Sequence, residues 1–183
     1  ILLENFKPGT LEKWGLSYAG VLRQRFPRLI HCSITGFGQT GRKAQLAGHD
    51  LNYIADAGLL ALSAGADGAP VIRPALIADI AGGAYPAAMN IFLALLQRAR
   101  TGAGCKLDVS MTDNLFPLTY WALGAGQALG AWPRPGGELL TGGSPRYQIY
   151  RTKDDRFVAA GPLEERFWQT FCEIINLPLA LRN

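Results

Sequence analysis

Apolar residues change their spacing several times along this 183-residue chain, and each change marks an element. The opening run ILLENF reads as a strand, and the Pro-Gly pair after it turns the chain into a short helix near Thr10. Helical spacing from Tyr18 to Phe26 stops at Pro27, whose missing N–H and fixed ring end a helix. RLIHCSITG is then a β-rich run ending at Gly36. Strand, helix and strand in succession predict a parallel sheet. Asp50 to Leu62 has helical spacing, SAGADGAP is a loop, and VIRPALIAD reads as extended up to Asp79. A long apolar helix is predicted from Ile80 to Arg100.

TGAG makes the next turn, CKLDVSMTD alternates as a strand, and a further helix is predicted from Asn114 to Leu129. Three prolines and four glycines between Trp132 and Arg146 give linker composition. After it, Tyr147–Tyr150 and Arg156–Ala160 form a hairpin turning at Lys153, Asp154 and Asp155, followed by a helix in GPLEERFWQTFCEII. The expected division is residues 1–110 as part of a large α/β domain, 111–145 as helix and Gly/Pro-rich linker, and 146–183 as the start of a smaller α+β domain. ILLENF has no initiator Met and no leader-like charge pattern, and NLPLALRN stops just past a helical pattern, so the chain reads as a piece of something longer.

Composition sharpens this picture modestly. With 49% hydrophobic and 17% charged residues the chain can bury a core, which excludes a disordered protein. The most apolar stretch, Ile80 to Leu96, is short for a membrane span and holds Pro86 and Asn90, so a buried helix and no membrane are expected. Cys32, Cys105 and Cys172 match no metal spacing; they read as reduced core thiols of a cytoplasmic protein with no bound metal. The net charge of +4 is spread along the chain without basic clusters and interleaved aromatics, so no nucleic-acid partner is expected.

The chemistry gathers at few places. One of only two histidines, His49, stands beside Asp50 in LAGHDLNY, ahead of a predicted helix, where it serves either as a cap or as a base. Asp79 lies at the start of the long helix, the position of an N-cap. In an apolar pocket such a carboxyl would hold its proton towards neutral pH. Small residues after it, Ala81, Gly82 and Gly83, would admit a ligand to the helix N-terminus, where N–H groups stabilise an oxyanion. Glu164, with Glu165, opens the last helix, as dipole partners do. GFGQTG has the G-x-G-x-x-G spacing of a dinucleotide loop, but no adequate helix follows it, which leaves a glycine loop open to close approach. The residues alone give an acid/base site.

Together, ENFKPG with EKWGL, RLIHCSITGFGQTG, LAGHDLNY, LIADIAGG, RTGAGCKLDVSM, GGSPRYQIY and GPLEERF resemble the family III CoA-transferase (CaiB/BaiF) superfamily, and within it the racemases of 2-methylacyl-CoA thioesters. The resemblance implies an α/β fold, with a Rossmann-like large domain around a parallel sheet and a smaller α+β domain. It implies that His49 and Asp79 are the two acid/base residues and that Glu164 orients the histidine. Gly48, Asp50, Leu51, Asn52 and Tyr53 would line the CoA-thioester site, Asp50 as a wall or hydrogen-bonding residue. Lys7 and Lys13 would lie near the CoA phosphates, keeping charge but lacking the bidentate fork of arginine. It further implies acyl-CoA as substrate, no cofactor beyond the CoA it carries, and an interlocked homodimer in which Glu164 serves a partner's site. The alternative is CoA transfer between carboxylic acids, with Asp79 as a nucleophile forming an aspartyl-CoA intermediate. Such transferases usually lack the histidine at 49 and the glutamate at 164 and have a longer glycine loop than TGGSP.

Overall fold

The computed structural model describes residues 1–62, 64–65 and 67–182. The chain divides into two units, Ile1–Leu60 with Ile72–Trp121, and Ala61–Val71 with Ala122–Asn183.

In the first unit, β1 (Leu2–Glu4) leads through Gly9, at φ 87°, into the single turn α1 (Thr10–Lys13). A π-helical turn, Tyr18–Leu22, runs into α2 (Arg23–Arg25), and β2 (His31–Thr35) follows. Next come α3 (Asp50–Asp56), the π-helical turn Ala78–Ala84 continuous with α4 (Tyr85–Thr101), and β3 (Lys106–Ser110). The three strands form a parallel sheet of order β1-β2-β3. Its register pairs Cys32 with Leu107 and Ile34 with Val109. Because strand side chains alternate, these four share one face, where Cys32 and Val109 pack with Ala87 of α4. The opposite face carries His31, Ser33, Thr35 and Ser110, all buried, and is polar. Asp108 on that face ties the glycine loop down, its carboxylate accepting the Gln39 N–H at 3.0 and 3.2 Å.

Several boundaries depart from the sequence expectation. α3 stops at Asp56 because the chain turns at Gly58, whose φ is 81°. VIRPALIAD forms no strand among the described residues. The long helix starts at Ala78, so Asp79 sits inside its first turn and is not the cap. That helix is also not buried all round: Ala87 and Ala94 face inward, while Tyr85, Met89, Phe92, Leu93 and Leu96 are exposed along one stripe. Ala78–Thr101 is long and apolar enough to cross a membrane. A 3₁₀ segment, Asp113–Thr119, replaces the first half of the helix predicted from Asn114, with Pro117 inside it. It leads to α5 (Tyr120–Leu129).

The second unit holds the hairpin β4 (Gln148–Arg151) and β5 (Phe157–Ala160), antiparallel, with Asp155 at φ 62° in its turn. α6 (Glu165–Ile174) buries Trp168 and Cys172, and Phe171 stacks on Trp168 at 5.8 Å.

Candidate active site

A cavity of about 590 Å³ opens where the strands of the first unit end. Lys7 comes from the turn after β1, Thr35 and Gly36 from the end of β2, and Met111 from the residue after β3; Gly48, His49, Asn52, Tyr53 and Asp79 complete the acid/base side of the wall. Ligands bind at the carboxyl ends of strands in open parallel sheets because loops diverge there.

His49 is the N-cap residue of α3, extended at φ −127° and ψ 175°. The cap is closed by its neighbours: Asn52 Oδ1 accepts the His49 N–H at 3.0 Å, and the Asn52 N–H donates to the His49 carbonyl at 2.8 Å. Tyr53 fixes the segment from the other side. Its hydroxyl donates to the Gly48 carbonyl at 2.5 Å, and its ring meets Phe37 edge-on at 5.3 Å. A Cβ at Gly36 would stand 2.2 Å from the Tyr53 ring, and one at Gly48 would stand 2.8 Å from it. The close approach allowed by Gly36 is made by this tyrosine. Burial and the charge of Asp79 push the Tyr53 phenol up, which keeps it a donor.

Asp79 is partly buried, and its carboxyl is held above the ordinary carboxylate range, first by burial and then by the charge of Asp50, with His49 pulling the other way. His49 and Asp79 thus line one cavity and are near enough to influence each other electrostatically. Asp50, 8% exposed, turns away from the cavity. Its Oδ1 accepts the N–H groups of Ala78 and Asp79 at 2.6 and 3.0 Å, capping the long helix in place of the expected Asp79. The Ile80 N–H donates to the Leu76 carbonyl at 3.1 Å. Three N–H groups at that helix start, those of Ala78, Asp79 and Ile80, are consequently committed within the protein. Gly82 and Gly83 serve packing: a Cβ at Gly82 would lie 2.3 Å from the Met111 carbonyl oxygen, and one at Gly83 3.1 Å from the Met111 side chain.

Two further candidate residues of the first unit lie outside this wall. Lys13 is exposed on α1 and Leu51 points to solvent, since a one-residue step along a helix turns a side chain by roughly 100° from its neighbours. Glu164 belongs to the second unit, where it is the exposed N-cap residue of α6 and its carbonyl accepts the Trp168 N–H at 2.9 Å. Among the described residues no cluster of three or more His, Cys, Asp or Glu is placed to hold a metal ion. Sequence reading passed over Thr35. Its Oγ1 is buried in the cavity wall with no hydrogen-bond partner among the described residues. The available signal was its place as the last residue of a predicted parallel strand ahead of a glycine loop.

The site can be compared with known proteins. The model of CoA-transferase family III matches residues 1–183. The chain is 38% identical to the alpha-methylacyl-CoA racemase of Homo sapiens over 178 residues, covering 97% of this chain and 46% of that one. It is 32% identical to the succinyl-CoA:glutarate CoA-transferase of Homo sapiens over 188 residues, covering 100% of this chain and 41% of that one. Among solved structures, a CAIB/BAIF family protein from Brucella suis superposes with a TM-score of 0.78 at 32% identity, covering 96% of this chain and 45% of that one. The chain spans about half the length of the curated relatives it matches. The parallel sheet, the cavity at its strand ends and this similarity over the whole chain make the protein a member of CoA-transferase family III, a family of α/β enzymes that includes acyl-CoA racemases as well as transferases.

Proposed function

We propose that the chain carries the acid/base site of a racemase acting on 2-methylacyl-CoA thioesters. The observation that carries the reading is that His49 and Asp79 line one cavity, with Asp79 held towards its protonated form. Removing the α-proton of a thioester needs a base within hydrogen-bond reach, and inversion needs a second group to return a proton to the opposite face of the planar enolate. In one direction His49 takes the C2 proton and Asp79 delivers its own; in the other their roles exchange. No electrons change hands, so the reaction calls for no redox cofactor. Lys7 supplies positive charge at the cavity for an anionic CoA ester. In this proposal Glu164 orients the histidine of a second copy in an interlocked homodimer.

The second reading is CoA transfer through Asp79, and the 32% identity to a protein named as a transferase speaks for it. Both readings use an ionised Asp79, as the base in one direction of the first and as the nucleophile of the second; what favours the first is His49 on the same cavity, a second acid/base group that transfer through Asp79 does not call for. The test is α-proton exchange: one enantiomer of a 2-methylacyl-CoA is incubated with the intact protein in deuterated water, following C2 deuterium and optical purity. Exchange with racemisation and no added acid supports the two-base reading. Turnover only when a free carboxylic acid is supplied, with CoA moving to it, overturns that reading in favour of transfer.

A further inference from the structure

We infer that Asp50 is a positioning residue for the acid/base pair, joining the segment that carries His49 to the backbone that carries Asp79. The inference rests on the two-base reading for its catalytic meaning, though the linkage itself is structural. Asp50 follows His49 directly, and its Oδ1 accepts the N–H of Asp79 itself at 3.0 Å and that of Ala78 at 2.6 Å. A local cap was not available, because Ile77, the residue at the N-cap position, has no acceptor in its side chain. The helix is instead capped by a residue brought in from α3, and the join is reinforced by apolar packing, with Ile54, Tyr53 and Ala57 of the α3 segment against Ala78. Two acid/base groups on separate elements, joined by a loop that includes Gly58 at φ 81°, are thereby held at one spacing by a single carboxylate.

The same carboxylate acts on Asp79 through its charge. The groups facing Asp79 are Asp50 and His49 from the start of α3 and Tyr53 one turn on, and of these Asp50 opposes loss of the Asp79 proton while His49 favours it. Position and charge can be separated by mutation. Asp50→Asn keeps an oxygen acceptor for the two N–H groups and removes the charge; Asp50→Ala removes both.

The experiment is a pH titration of the Asp79 carboxyl by carbon-13 NMR in the intact protein, for wild type and Asp50→Asn, combined with kcat and KM for C2 exchange in all three proteins. Asp50→Asn is expected to move the Asp79 midpoint down, as loss of a neighbouring like charge does. Asp50→Ala is expected to lower kcat at least about tenfold with KM little changed, and Asp50→Asn to recover most of that loss, because geometry at the reacting carbon is what Ala disturbs. An unchanged midpoint in Asp50→Asn, or a wild-type kcat in Asp50→Ala, overturns the inference. If Asp50→Ala does not fold, the Asn titration decides alone. Absence of exchange in wild type sinks the racemase reading, and the titration then still judges the tie between Asp50 and Asp79.

Discussion

The hydroxyl of Tyr53 donates to the carbonyl of Gly48, five residues back, and the ring occupies the space that a side chain at Gly36 would need. One aromatic residue therefore clamps the peptide before His49 to the end of β2. Tyr53→Phe leaves the ring in place and the Gly48 carbonyl unpaired, so it should cost about 1–3 kcal/mol. Denaturant unfolding measures that loss, and a fall in kcat exceeding the change in KM would place its effect on the geometry of His49.

Gly82 faces a backbone atom that cannot swing aside. With a Cβ only 2.3 Å from the Met111 carbonyl oxygen, Gly82→Ala should destabilise the protein by about 1–3 kcal/mol or more. Gly124, in α5 with nothing within 4 Å of its would-be Cβ, provides the contrast: Gly124→Ala should raise stability by about 0.5–1 kcal/mol. Thermal melts of the two variants should shift in opposite directions.

His31 should contribute a loss of stability in acid. It is 3% exposed, its Nε2 lies 3.4 Å from Glu4 Oε1, and its Nδ1 has no partner among the described residues. Burial lowers its pKa from the ordinary 6.5; Glu4 and Glu12 raise it and Lys106 lowers it, without reversing the shift. A lowered folded value means that the stabilisation is present above 6.5 and is lost as pH falls from there through the folded value. The melting temperature of His31→Gln should accordingly fall less than that of wild type on acidification below pH 6.5. Asp79 acts with the opposite sign: its raised value favours the fold at low pH and gives that up as pH rises through it, so Asp79→Asn should gain relative stability towards neutral pH.

Thiol chemistry should discriminate among the cysteines. Cys32 and Cys172 are buried, and burial together with Glu4 and Asp108 pushes the Cys32 thiol up to about 11. In the native protein at pH near 8 a maleimide should label Cys105, the partly exposed one, first. Early loss of Cys32 by peptide mapping would contradict its place on the buried sheet face.

What could be read from the sequence was what is encoded locally. The strands ending at Thr35 and Ser110, the hairpin and the last helix follow from residue spacing and turn chemistry, and the placing of His49 and Asp79 on one cavity was anticipated by their motifs. What escaped depends on partners distant in sequence. Asp50 as the cap of a remote helix, Tyr53 as the occupant beside Gly36, and Met111 as the reason for Gly82 all arise only when separate segments meet. The long helix was expected to be buried because its composition is apolar throughout; composition carries no record of which face finds the sheet, and the residues buried on it are the small ones, Ala78, Gly82, Gly83, Ala87 and Ala94.

The pairing of β2 with β3 also dictates an order of events as the chain is made. β2 is the middle strand, and its partner on one side lies beyond the whole excursion that carries His49 and Asp79. Closing that loop must meet its entropy before the strand pairing returns anything, so the sheet forms late and slowly compared with a hairpin. During synthesis, both acid/base residues leave the ribosome before β3. The cavity wall is closed only once β3 has paired with β2, because Met111, the residue after β3, forms part of that wall.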